Sequence, residues 1–409
     1  MPSITIVGAG QSGLQLGFGL LAAGYEVRMV SNRTPEQIHQ GRVTSSQCMF
    51  GSSLARERVL GIDFWGSECP DVEGIGFTVP DGAGGRAISW DSRLDLPAQS
   101  VDQRVKMPRW MAEFTARGGV LDIHDATVDD LEDYASSSDL VLVAAGKGEI
   151  AKLFDRDAER STFATPQRAL ALTYVRGMTP REPFSAVSFN MIPGIGEYFV
   201  FPALTTTGPC EIMVMEGVPG GPMDCFDGVT DPQQHLELAL GVVRTYLPWE
   251  AERCRELELT DDLGVLAGRF PPTVRRPVGV LPSGATVLGM ADVVVLNDPV
   301  TGQGSNNAAK CASSYLASIL EHGDRPFDRA FMQDTFERYW DYARYVATWT
   351  NALLVPPPEH VLRLLGAAGA NPRIARRFAN GFDDPRDFFH WFMDPDSAKS
   401  YLDDLAVAA

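Results

Sequence analysis

An α/β fold with a dinucleotide-binding first domain, an inserted sheet-rich region and a helical C-terminal part is predicted by three observations. These are the run Ser3-Ile4-Thr5-Ile6-Val7-Gly8-Ala9-Gly10-Gln11-Ser12-Gly13-Leu14, an apolar strand far downstream at 139–146, and a change to alternating strands and turns over 165–275. In the first run a buried-strand pattern enters a glycine turn and leaves as a helix, Gln11 to Ala23. Gly8 allows the tight turn, Gly10 lets a pyrophosphate approach the backbone, and Gly13 lets the helix pack close on the strand. Free N–H groups at the start of the helix, at Gln11 and Ser12, then face the phosphates. A second strand, Glu26 to Ser31, follows Gly24. NAD-binding units end this strand on an acid for the ribose. Here it ends Val30-Ser31-Asn32-Arg33, which leaves Ser31, Asn32 or Arg33 to hold an adenosine.

The rest of the chain is read in order. Arg42 follows the second strand, where it reaches back to a pyrophosphate or stands as a solvated charge. Residues 51–66 read as a helix with Leu54, Val59 and Leu60 inward, and 74–90 as a hairpin turning at Val79-Pro80-Asp81-Gly82. Val101-Asp102-Gln103-Arg104 opens a helix that runs through Phe114. The run Asp139-Leu140-Val141-Leu142-Val143-Ala144-Ala145-Gly146 suits a strand of a buried parallel sheet, and its small last residues allow a cofactor close. Strands are expected at Ala169–Val175, Ala186–Met191, Glu197–Phe201 and Glu211–Glu216, then helices near 231–247 and 250–262. The strand Ala285 to Asp292 ends in an acid. Asn297-Asp298-Pro299-Val300-Thr301-Gly302-Gln303-Gly304-Ser305-Asn306-Asn307 is a rigid turn before a helix, Ala308 to Leu320. A helix start of this kind stabilises negative charge. Residues 326–409 read as terminal helices, with Arg338, Arg344, Trp340 and Trp349 in packing and solvated roles. The domains follow: 1–45, 95–160 and 276–325 hold the cofactor, 46–94 and 161–275 the substrate, and 326–409 form the helical end.

Composition narrows the function. With 409 residues, 44% of them hydrophobic, the chain can bury cores for two or three domains. A net charge of −18 argues against nucleic acid and anionic membranes. The six cysteines, at 48, 69, 210, 225, 254 and 311, form no CxxC and pair with no histidine at metal spacing. Reduced thiols, no metal site and a cytoplasmic location are expected. The chain enters its first strand without a basic leader, and no apolar run approaches the ~20 residues of a membrane helix.

Three separated motifs, Gly8-x-Gly10-x-x-Gly13, Gly289-x-x-Asp292 and Asp298-Pro299-x-x-Gly302-Gln303-Gly304-x-Asn306, together resemble the FAD-dependent aromatic monooxygenases of the para-hydroxybenzoate hydroxylase fold. The likeness is closer to the oxygenase components of two-component styrene and indole monooxygenases. It extends through Arg56-Glu57, Val101-Asp102-x-Arg104, Ala145-Gly146-Lys147, Pro166-Gln167-Arg168-Ala169 and Trp349-Thr350-Asn351. The resemblance implies a Rossmann-like FAD-binding domain of the glutathione reductase type. Gly8, Gly10 and Gly13 would hold the FAD pyrophosphate, Asp292 the ribityl hydroxyls, and Arg42 and Arg104 the cofactor phosphates. Pro299, Gly302, Gln303, Gly304, Ser305 and Asn306 would lie beside the isoalloxazine, with Pro299, Gln303 and Asn306 as its catalytic contacts. Ala145 and Gly146 would also adjoin the cofactor.

By the same resemblance, Ser45, Gln47, Met49, Val72, Ile75 and Ala98 wall the substrate cavity, a set similar to the indole-type subgroup. Indole suits apolar walls and one acceptor for its N–H, which Gln47 or Ser45 would supply. Reduced FAD, with O2 activated at its C4a carbon, would epoxidise indole towards indoxyl and indigo. Styrene epoxidation or sulfoxidation, and a single-component NAD(P)H-dependent hydroxylase, are the alternatives. The resemblance implies a separate NADH:flavin reductase as partner, and the lack of a second strand–GxGxxG–helix unit for a nicotinamide dinucleotide agrees with it. A homodimer is left open.

Overall fold

The computed structural model describes residues 2–145 and 148–407. It begins β1 (Ser3–Val7), α1 (Gln11–Ala22), β2 (Glu26–Ser31), α2 (Pro35–His39) and α3 (Gly51–Val59). The long hairpin β3 (Asp71–Pro80) and β4 (Arg86–Gln99) comes next. It leads to α4 (Gln103–Ala116), β5 (Val120–Ile123), α5 (Val128–Ser137), β6 (Leu140–Val143) and α6 (Gly148–Ala151). The second region holds β7 (Ala169–Arg176), β8 (Ala186–Ile192), β9 (Gly196–Thr205) and β10 (Gly208–Gly217). After it come α7 (Pro232–Tyr246), α8 (Pro248–Arg253) and the short strands β11 (Glu258–Leu259), β12 (Val265–Gly268) and β13 (Thr273–Val274). The chain returns through β14 (Val278–Val280), β15 (Thr286–Gly289), β16 (Val295–Leu296) and α9 (Gly304–His322). It ends in α10 (Arg329–Leu353), α11 (Glu359–Ala368), α12 (Pro372–Gly381) and α13 (Pro395–Val407).

Two sheets organise the chain. The first has the order β14-β15-β6-β1-β2-β5, parallel except for the edge pair β14–β15. Its central strands β1 and β6 read Ile-Thr-Ile-Val and Leu-Val-Leu-Val where they pair, and these residues are buried. A parallel strand covered on both faces requires that continuous apolar pattern. The sheet's carboxyl ends open beside the glycine turn, at the switch of strand order where open α/β sheets bind ligands. The second sheet, β11-β7-β10-β9-β8-β3-β4 with β12 also on β7, is antiparallel except for β3–β8. Its core packs against the terminal helices through Phe77, Trp90, Phe378 and Phe388.

Several expected elements differ. The helix read over 51–66 stops at Val59, which is 86% exposed rather than inward, because Ile62 and Trp65 take over the packing beyond it. The acidic helix read over 250–262 is six residues long, Pro248–Arg253. Beyond it the edge of β7 captures Glu258–Leu259 as a strand, so tertiary pairing overrides local helix preference. The strand read as Ala285–Asp292 ends at Gly289, and Asp292 sits in a 3-10 turn. The helix read from Ala308 begins four residues earlier, so Gly304, Ser305 and Asn306 form its first turn.

Candidate functional site

The site is built first from backbone. Gly8 has φ +122°, and its N–H donates to the Val30 carbonyl at 2.9 Å, tying β1 to β2. A Cβ at Gly13 would stand 2.0 Å from the Gly8 carbonyl oxygen, so the helix reaches the turn only with glycine there. Gly10 is different: a Cβ there meets nothing within 4 Å, because it faces open space. The helix α1 that follows has no side-chain cap at Gly10, which leaves its first N–H groups unpaired.

The second half of the site lies almost 300 residues away. Helix α9 also starts without a side-chain cap, at Gln303. Cβ atoms at Gly302 and Gly304 would meet nothing within 4 Å. Before it, Ala291 has φ +51°, a left-handed backbone that costs a non-glycine residue energy, and the adjoining Asp292 is exposed on the wall of a cavity. Both helix starts line one cavity of about 640 Å³, together with Ser45, Gln47, Asp292 and Pro299. Two helix dipoles thus direct partial positive charge into the same space. Asp292 is the acid on its wall. Its surface opens into the cavity, while the surrounding protein pushes the carboxyl up to about 6 against the pull of Arg275.

Gln11 shows how the first turn is held. Its amide N–H groups donate to Gln15 at 3.0 Å and to Glu57 at 2.9 Å, and Glu57 accepts from Lys106 at 2.5 Å. Glu57 and Lys106 are both nearly inaccessible, so α3 and α4 are locked to α1 by a buried ion pair. Glu57 entered the sequence reading only as part of a resemblance, and Lys106 did not enter it.

Other expected residues lie elsewhere. Ser31 Oγ donates to the Arg33 carbonyl at 2.7 Å, so Ser31, Asn32 and Arg33 shape the end of β2 outside the lining of the large cavity. Arg42 lines a smaller neighbouring cavity, with one amino group on the Val265 carbonyl at 3.3 Å. Arg104 is 3% exposed and engaged by Asp102, Thr205 and both oxygens of Asp261, so its donors are committed within the protein and not to a phosphate. Ala145 packs against Gly8, and Gly146 lies outside the described residues. Gln303 and Asn306 are fully buried and point away from the cavity. Gln303 donates to the Phe382 carbonyl at 2.8 Å. Asn306 accepts from the Phe50 N–H at 2.9 Å and donates to the Cys48 carbonyl at 2.8 Å and the Gly302 carbonyl at 3.0 Å, stapling the loop before α3 to the second turn. Both side chains therefore bond to backbone and position the second turn.

The six expected wall residues divide. Ser45 and Gln47 line the large cavity, and Ser45 Oγ donates to Gln47 Oε1 at 2.7 Å while Gln47 donates to the Tyr174 hydroxyl at 3.2 Å. Met49 packs with Leu54 and Ala309, while Val72, Ile75 and Ala98 are fully buried in the core of the second sheet. These four line neither of the cavities flanking Pro299. Apart from Pro299 and Gly302, the residues that form the walls of the smaller one were not singled out from sequence. This chamber, of about 40 Å³, has walls of Phe50, Val187, Phe199, Phe201, Val214 and Phe382, with Glu216 as its acid. Pro299 and Gly302 belong to both cavities, so the second turn is the partition between them. One signal was available: Glu216 closes the apolar run Ile212-Met213-Val214-Met215 within the expected strand Glu211–Glu216.

Among the described residues, no cluster of three or more His, Cys, Asp or Glu side chains can hold a metal, and the six cysteines are unpaired. No described helix is long and apolar enough to cross a membrane.

A Rossmann-type sheet joined to a strand-rich second layer, with two helix starts sharing one cavity, is an α/β dinucleotide-binding architecture. Solved structures agree. The flavin-dependent brominase Bmp2 matches with a TM-score of 0.67 at 13% identity, covering 98% of each chain. The tetrameric form of 2-methyl-3-hydroxypyridine-5-carboxylic acid oxygenase matches at 0.57 and 13% identity, covering 92% of this chain and 93% of that one. In sequence, residues 146–253 match the family described as "Styrene monooxygenase A putative substrate binding domain". Styrene monooxygenase StyA of Pseudomonas fluorescens is 30% identical over 413 aligned positions, covering 98% of both chains, and that of a Pseudomonas sp. is 29% identical with the same coverage. The chain belongs to the styrene monooxygenase StyA family of flavin-dependent monooxygenases.

Proposed function

We propose that this chain is the oxygenase component of a two-component system that uses reduced FAD, delivered by a separate NADH:flavin reductase, and O2 to epoxidise indole. The observation carrying the cofactor assignment is the meeting of two uncapped helix starts in one cavity, at glycines whose missing side chains leave the backbone open. FAD fits this donor set: Gly10, Gln11 and Ser12 would take the pyrophosphate, Asp292 the ribityl hydroxyls, and the amides of Gly302 to Ser305 the pyrimidine edge. When bound, the reduced flavin supplies the oxygen-activating chemistry.

The protein's part is position and dryness. The α9 dipole favours the negative charge of a reduced flavin. Asn306 and Gln303 hold the turn that presents those amides. The aromatic chamber behind Pro299 excludes water from the reacting centre. Support for an aromatic hydrocarbon-like substrate is that wall of Phe, Val and Pro. Styrene is the second reading, favoured by the names of the relatives.

The test supplies purified protein with FADH2 from an unrelated reductase, air, and indole or styrene in parallel. Indigo from indole is the expected result. Styrene oxide without indigo would reverse the substrate assignment, and NADH oxidation by the chain alone would remove the reductase. Product from neither substrate would overturn the oxygenase reading.

A further inference from the structure

The chamber behind the second turn contains one group that its apolar walls do not explain. Glu216 lies on β10, fully buried, and neither of its carboxylate oxygens has a hydrogen-bond donor. It stands directly opposite Glu197 on β9, a like-charge pairing that destabilises a sheet unless one member is neutralised. Glu197 is neutralised by Arg168, with nitrogen–oxygen distances of 2.6 and 2.9 Å. Glu216 has no such cation and faces a second acid, Asp298, instead. Asp298 Oδ1 accepts from the Val300 N–H at 3.2 Å, while its Oδ2 lacks a donor.

One proton resolves the pair. Burial and the neighbouring Asp298 push the Glu216 carboxyl well above its ordinary value, so Glu216 carries the proton and donates its O–H to Asp298. Glu216 keeps one oxygen with no partner, on the wall of an aromatic-lined chamber. A buried acceptor left unpaired is costly, and a ligand N–H recovers that cost.

We propose that Glu216 is the polar anchor of the substrate chamber, accepting a hydrogen bond from the ring N–H of a flat aromatic heterocycle that lies against Pro299. This rests on the oxygenase reading and specifies its substrate class: an aromatic bearing one N–H donor, held by an acid rather than by Ser45 or Gln47. At about 40 Å³ the chamber is smaller than such a ring, so its entry requires the phenylalanine walls to part. Asp298 acts through Glu216, as a positioning residue adjoining the second turn.

The test compares indole with 1-methylindole, which has the same aromatic system without the donor. Calorimetric titration of the protein loaded with oxidised FAD should show indole binding about ten-fold or more tighter than 1-methylindole, the equivalent of ~1.4 kcal/mol. Glu216→Leu should abolish that preference and cost indole turnover about ten-fold more than styrene turnover under an external FADH2 supply. Glu216→Gln, which retains a carbonyl acceptor, should keep most of the preference. Equal binding of the two indoles to the unaltered protein would overturn the proposal, and that measurement needs no variant to fold. Equal losses on styrene and indole in Glu216→Leu would also overturn it, by assigning Glu216 to structure alone. Failure of the unaltered protein to oxidise either substrate is a separate result, and it removes the oxygenase reading instead.

Discussion

The two cavities on either side of Pro299 are made of different material. The large one is organised by backbone, two glycine-lined helix starts, and side chains such as Ser45, Gln47, Arg269, Phe270 and Asp292 complete its walls. The small one is a side-chain site, assembled from strands β8, β9 and β10, the loop before α3 and the end of α12. A backbone site is specified by short local motifs, since a glycine turn needs its residues at fixed spacing. A side-chain site is specified by register and packing, which bring together residues such as Phe50, Phe199 and Phe382 that no local pattern connects. The first suits a cofactor shared by many proteins, and the second suits discrimination among substrates.

The comparison is broken most strongly at the first glycine turn. Gly13→Val places a side chain against the Gly8 carbonyl and should prevent stable folding, seen as loss of the cooperative thermal transition. Gly10→Val points into the large cavity and should fold with little change in melting temperature, while FAD affinity falls about 100-fold by fluorescence titration. Loss of folding in both variants would remove the distinction between a packing glycine and a ligand-facing one. Next, Lys106→Met leaves Glu57 buried without its cation. It should cost about 3–5 kcal/mol in denaturant unfolding, much of which Glu57→Gln in the same chain should restore.

Asn306→Ala removes two hydrogen bonds to the loop before α3 and one within the second turn, to Gly302. A loss of roughly 2 kcal/mol is expected, with more H2O2 released per product because the partition between the cavities loosens. Unchanged coupling would show that the staple does not position the turn. The smallest effect concerns Asp292. Its carboxyl is raised to about 6 in the folded chain, so the folded state binds a proton that the unfolded state has released. Stability from this group is present below its unfolded value near 4 and is lost as pH rises through about 6. Asp292→Asn should flatten the melting-temperature profile between those values, and weaken FAD binding above pH 6.

Much of the framework was legible. The strand Glu26–Ser31 has the same bounds in sequence and structure, and Ala169, Ala186 and Pro232 stand at or beside the expected starts of β7, β8 and α7. Periodicity and turn chemistry are local, so these survive without tertiary knowledge. The errors fall where distant contacts decide. Val59 continues an apolar pattern yet faces solvent, and Glu258–Leu259 reads as helix yet pairs with β7. Arg104 stands in a recognisable motif, but the presence of Asp261, 157 positions later, commits its guanidinium inside the protein.

By itself the sequence determined the α/β class, the position of the glycine turn and the existence of a second helix start after Asp298-Pro299. All three depend on backbone conformations that only certain residues permit at certain spacings. The tertiary structure alone decided that those two starts share a cavity, that Asn306 and Gln303 serve the turn from behind, and that Glu216 ends in an aromatic chamber beside Asp298. The reason is physical: what surrounds a side chain is fixed by which strands and helices pack beside it, and that is a property of the whole chain rather than of any stretch within it.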